Sequence, residues 1–83
     1  MTVLSERLFA IIASELQVDA KRVVPSALLR EDLGMDSIAA LNILYAAQEA
    51  FDLGSIDDSE ISNVSTVADV EQMVRRQMPG ANA

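Results

Sequence analysis

Leu4, Leu8, Ile11, Ile12 and Leu16 recur at helical spacing, with Glu6, Arg7, Ser14 and Glu15 between them. An apolar stripe of that period predicts an amphipathic helix over 3–17, with Thr2 or Ser5 as its cap. From 18 to 36 the period is lost. Pro25 stops any helix through this segment and pushes Val24 toward extended backbone. Ser26 is placed to cap a short turn over 27–31. Val18, Val23, Leu28, Leu29 and Leu33 are too apolar for a free linker, so a long loop is expected, anchored on the helices by these side chains. Gly34 closes it where the backbone must turn sharply. A second helix begins at Asp36 or Ser37 and runs to Phe51. Its interior is rich in Ala and Leu and lacks Gly and Pro. Gly54 ends it. Residues 57–61 form a short acidic helical turn, as acids suit a helix N-terminus. Thr66, with Asp69 three residues on, opens a last helix whose inner face is Val67, Val70, Met73, Val74 and Met78. Residues 79–83 read as a frayed tail beyond a single domain over 1–78. No strand alternation or internal repeat is present. The expected architecture is an all-α bundle: three main helices, a short one between the second and last, and a long loop between the first two.

The second helix carries two apolar faces. At roughly 100° per residue, Ala40, Ile43, Leu44, Ala47 and Phe51 gather on one side as a core stripe. Ile38, Leu41 and Tyr45 gather on another, beside Asn42, Gln48 and Glu49. Two explanations stand for the second group. Either the loop or the first helix covers it, or it is an exposed patch that meets a partner.

Length and charge narrow the function. The 83 residues make one small domain. An apolar content of 51% is too high for disorder. Thirteen acids against six bases give a net charge of −7, which argues against nucleic acid and anionic membrane as partners. No apolar run approaches the roughly 20 residues of a membrane span, and the N-terminus lacks the pattern of a signal peptide. A cytoplasmic protein is expected.

The candidate chemistry is sparse. The chain has no Cys and no His, which removes a thiolate nucleophile, the usual general base and the usual zinc ligand. Ser37 therefore has no triad, and no G-x-S-x-G turn surrounds it. Lys21, the only lysine, sits in an exposed-looking stretch. Glu31, Asp32 and Asp36 form one acidic group, and Asp57, Asp58 and Glu60 another. Neither has the spacing of a calcium loop, and no metal site is expected. By residue type alone, Asp-Ser ahead of an apolar run is a helix cap.

The segment Asp32-Leu33-Gly34-Met35-Asp36-Ser37-Ile38 changes that picture. It resembles the D-L-G-x-D-S-L segment at which acyl carrier proteins receive 4′-phosphopantetheine. The resemblance covers nearly the whole chain. Glu49-Ala50-Phe51-Asp52 is similar to the E-E-F-D that closes the family's second helix, and Val64-Ser65-Thr66-Val67 to the I-T-T-V that opens its last. The family fold is a four-helix bundle with a long first loop and a short third helix.

The resemblance implies that Ser37 is an attachment point and not a catalyst. A separate phosphopantetheinyl transferase would modify its hydroxyl, with Asp36 contributing to recognition by that enzyme or its metal. The thiol of the arm, derived from coenzyme A, would carry acyl groups as thioesters, and partner enzymes would supply the catalysis. Those partners are acyl-loading and condensing enzymes: a ligase, an acyltransferase or a ketosynthase. Met35, Ile38, Leu41, Asn42, Tyr45 and Glu49 would meet them. Leu29, Ile43, Leu44, Ala47, Ile61 and Val64 would line an acyl pocket, and the same residues serve equally as core. The chain is expected to act as a free-standing monomer.

Departures from the family pattern bear on the pathway. Carriers of primary fatty acid synthesis hold several acids along the second helix. Here those places hold Ala39, Asn42, Gln48 and Ala50, and only Glu49 remains. Met35 before Asp-Ser is more typical of polyketide-type carriers, and one residue is added between Phe51 and Ile56. These features favour a specialised carrier over a housekeeping fatty acid carrier. A carrier of amino acids fits less well, because Asp36 stands where such carriers hold a small residue. The rival from another class is an unmodified helical adaptor binding a partner through Ile38, Leu41 and Tyr45.

Overall fold

The computed structural model describes residues 3–78. Among these, four α-helices follow one another: α1 (Val3–Leu16), α2 (Ser37–Phe51), α3 (Asp58–Ser62) and α4 (Val67–Gln77). The bundle expected from periodicity is present. α2 packs against α1 and α3, and α4 against α1 and α3. Leu8, Ile12, Leu29, Ile43, Leu44, Ile61, Val67, Val70, Met73 and Val74 make the fully buried centre. α1, α2 and α4 contribute at a 3.6-residue period, α3 adds Ile61 and the loop adds Leu29, and these side chains meet in a single core. No helix among the described residues is long and apolar enough to cross a membrane.

The helix ends show why the segments stop where they do. α1 ends on Gln17 in the left-handed region (φ 56°), and the Val18 N–H closes back on the Ala13 carbonyl at 3.1 Å. α2 ends in the same way on Asp52 (φ 54°), with the Leu53 N–H on Gln48 at 3.0 Å. Gly54 follows at φ 74° as the connection turns away. Asp57 caps α3 through the Ser59 N–H at 3.0 Å. Thr66 and Asp69 form the reciprocal capping box read from the sequence.

Three expectations need correction. Ser5 is not a cap. It lies inside α1, buried, and its hydroxyl donates to Glu71 Oε2 on α4 at 2.8 Å. Segment 18–36 is not wholly irregular: Ala20–Arg22 form a single 3₁₀ turn, opened by the Asp19 carboxylate accepting from Lys21 N–H. The turn expected over 27–31 is shifted toward 29–33. There Asp32, and not Ser26, holds the Leu28 N–H at 2.9 Å. The Thr2 cap and the tail over 79–83 lie outside the described residues.

The loop is clasped to the start of α4. Leu28 bridges Thr66 in antiparallel fashion, the Leu29 N–H donates to Ser65 O at 2.9 Å, and Val67 N–H donates to Ala27 O at 3.1 Å. Ala68 N–H adds a bond to Pro25 O at 3.0 Å. These bonds satisfy backbone groups that a buried loop would otherwise strand. They also set the height of the chain as it approaches α2.

Candidate functional site

The approach to α2 is built residue by residue. The Gly34 N–H bonds to Arg30 O at 3.1 Å and the Met35 N–H to Leu29 O at 2.9 Å, closing the turn over 29–33. Gly34 takes φ +75°, a conformation that side chains rarely adopt, and nothing lies within 4 Å of where a Cβ would stand. Glycine is therefore demanded by the backbone and not by crowding. Met35 is buried at 4% exposure. Its side chain belongs to the core, which takes it out of the surface group in which the sequence reading placed it.

Asp36 is the cap of α2. Its backbone is extended (φ −113°, ψ −177°) and its Oδ1 accepts from the Ala39 N–H at 2.8 Å. Ser37 is consequently the first residue inside the helix and not the cap that residue type alone suggested. It is exposed, and within the described residues no hydrogen bond engages its hydroxyl. The helix thus presents a hydroxyl with no structural duty on a rigid base, beside the unpaired N–H groups of its first turn.

A cleft of about 240 Å³ opens next to that hydroxyl, between α2 and α3, lined by Arg30, Ser37, Ala40, Leu41, Asp58, Ile61 and Ser62. Arg30 and Ser62 carry no mark in the sequence, and Asp58 is marked there only as one of an acidic group. The turn over 29–33 holds Arg30 ahead of α2, and the packing of α3 onto α2 brings Asp58 and Ser62 to the same cleft. Of the acyl-pocket group, Leu29, Ile43, Leu44 and Ala47 are fully buried in the core, Ile61 reaches both core and cleft, and Val64 is half-buried against the core and lines a separate cavity with Glu60 and Arg76.

The second apolar face of α2 divides. Leu41 is half-buried in the cleft wall, whereas Ile38 is 72% exposed and Tyr45 51% exposed. Neither the loop nor α1 covers Ile38 or Tyr45. Asn42 and Glu49 are exposed beside them, so the outward stripe runs Ile38, Asn42, Tyr45, Glu49 with one acid. Among the described residues no group of three or more acids could hold a metal ion.

Comparison with known proteins adds the chemistry. A family model described as "Phosphopantetheine attachment site" matches residues 6–74. The chain is 41% identical over 68 residues to the acyl carrier protein of Desulforapulum autotrophicum, covering 81% of this chain and 87% of that one. It is 36% identical over 73 residues to the acyl carrier protein of Thermosynechococcus vestitus (88% and 89% covered). With the acyl carrier protein of Onion yellows phytoplasma it shares 31% over 74 residues (89% and 96% covered).

Proposed function

Because this chain belongs to the acyl carrier protein family, we propose that Ser37 is the acceptor of its 4′-phosphopantetheine and that the chain carries acyl groups for partner enzymes. The observation that carries this reading is the division of labour at the start of α2: Asp36 does the capping, and the exposed Ser37 hydroxyl is left free. The site fits the group. Ser37 stands clear of the core, and the cleft beside it offers an apolar wall of Ala40, Leu41 and Ile61.

In the attachment step the Ser37 oxygen forms a bond to the phosphorus next to the pantetheine of coenzyme A. The pyrophosphate link breaks, the adenosine bisphosphate half leaves, and the hydroxyl proton passes to a base of the transferase. Once bound, the arm supplies a terminal thiol for thioester linkage. Everything else this chain does is presentation. α2 fixes the serine, Asp36 offers its outer carboxylate face to the transferase, and the cleft gives access past Leu41 toward Ile61. The chain is a carrier and not a catalyst, consistent with its lack of His and Cys, and we place it in the cytoplasm.

We also favour a specialised or polyketide-type role over housekeeping fatty acid synthesis. The support is the outward stripe of α2, where Ile38 and Tyr45 are exposed and Glu49 is the only acid. Such a face suits partners that read shape and apolar contact more than charge.

Intact-mass measurement after incubation with a broad-specificity transferase and coenzyme A tests the assignment. One added phosphopantetheine is expected on the wild type and none on Ser37→Ala. An unmodified wild type would sink the reading and leave an adaptor working through Ile38, Leu41 and Tyr45. In the same assay, efficient loading of the modified chain by a housekeeping malonyl transferase would count against the specialised role.

A further inference from the structure

Five arginines lie in the described residues, and four are engaged. Arg7 donates to Ala50 O at 3.0 Å and stands over the Phe51 ring. Arg22 donates to Asp32 O, Arg75 pairs with Glu71 at 2.9 Å, and Arg76 with Glu60 at 3.4 Å. Arg30 alone has a guanidinium with no hydrogen bond or ion pair among the described residues. It is also the one cation lining the cleft that Ser37 opens onto.

We infer that Arg30 is the phosphate-binding residue of the Ser37 site. Its guanidinium pairs with the phosphodiester formed on Ser37 and turns the arm into the cleft between α2 and α3. The inference rests on Ser37 being the attachment point.

Three observations support it. The first is charge. Modification adds a negative group to a chain of net charge −7, at a spot flanked by Asp36 and Asp58. Without a cation nearby, that addition raises like-charge repulsion at the site. The second is chemistry: a guanidinium offers two parallel donors that match two phosphate oxygens. The third is position. Arg30 projects from a fixed base, since its carbonyl accepts from Gly34 N–H at 3.1 Å and its neighbour Leu29 is bonded to both Ser65 and Met35. The Arg30 backbone is already fixed, so pairing has only the side chain left to order.

The test compares apo and modified forms of ¹⁵N-labelled wild type, Arg30→Gln and Arg30→Lys. The Arg30 Nε–Hε signal is followed by NMR, with the phosphodiester followed by ³¹P. Modification of the wild type is expected to move the Arg30 signal. The ³¹P shift of the modified wild type should respond to salt, that of Arg30→Gln should differ from it and lose the response, and Arg30→Lys should fall between. An Arg30 signal unmoved by modification, with identical ³¹P spectra in wild type and Arg30→Gln, overturns the inference alone. No mass gain on the wild type overturns the Ser37 assignment and this inference with it. Arg30 is exposed, so the Gln variant should fold. If it does not, the wild-type comparison still decides.

Discussion

Two adjacent residues divide one position's work. Asp36 holds the first turn of α2 together, and Ser37 is free because of it. The two roles proposed for Asp36, cap and recognition, separate by substitution. Asn caps a helix as well as Asp does, whereas Ala costs about 1 kcal/mol at such a site. Asp36→Asn should therefore melt with the wild type, and Asp36→Ala should melt about 4–8 °C lower. If the carboxylate is read by the transferase, both variants are modified more slowly, by about tenfold or more for loss of a charged contact. Modification of Asp36→Asn at the wild-type rate would leave Asp36 a cap only. At this scale the string around Ser37 was legible in the sequence, and the structure leaves that side chain exposed at the start of α2. The sequence was misleading for Met35, whose place in the string says nothing of the direction of its side chain. Arg30 was illegible, because its meaning depends on α3 arriving beside it.

At the scale of elements, periodicity located the main helices to within a residue or two, since each has one continuous buried stripe. The capping box at Thr66 and Asp69 was equally readable, being a bond between residues three apart. The 3₁₀ turn at Ala20–Arg22 and the shifted turn over 29–33 were not. Both depend on side-chain bonds by Asp19 and Asp32 that compete with several equally plausible local choices. Gly34 was read correctly as a sharp turn, and its geometry makes a clean test. With no atom in the way of a Cβ, Gly34→Ala should show the backbone cost alone, about 1 kcal/mol, as a lower midpoint in urea. A loss several times larger would mean that the turn cannot adapt and that the approach to α2 shifts with it.

At the scale of the molecule, α1 and α4 are joined by a polar contact inside an apolar seam. The Ser5 hydroxyl and the Arg75 guanidinium both reach Glu71. Partial burial pushes the Glu71 carboxyl up, but the bonds from Ser5 and Arg75 outweigh it and hold it below its ordinary value. The N–H groups of Ser65 and Thr66 hold Asp69 down in the same way, and that of Ser59 holds Asp57 down. Each of these groups binds its proton more weakly in the folded chain than in the unfolded one. Their contribution is therefore full above the ordinary carboxylate value of about 4 and is lost as pH falls below it. Melting followed from pH 7 to pH 3 should show a plateau and then a decline beginning near that value. Glu71→Gln should flatten part of the decline, and an unchanged slope would remove Glu71 from the account.

The clasp between the loop and α4 has a consequence for the order of assembly. It turns the stretch from Leu29 to Ser65 into a closed ring, with α2 and α3 inside it. Helices can form from neighbours along the chain, but a ring closes only when distant segments meet, and closure carries an entropic cost that local structure does not offset. α3 is a single short helix held between α2 and α4, so it gains its place only as the ring shuts. A chain with its long helices formed and its ring open would already expose Ser37, yet it would lack the cleft that α3 completes beside it. Display of the serine is thus a local property of this sequence, and the cleft that would shelter a group proposed to sit on it is a global one.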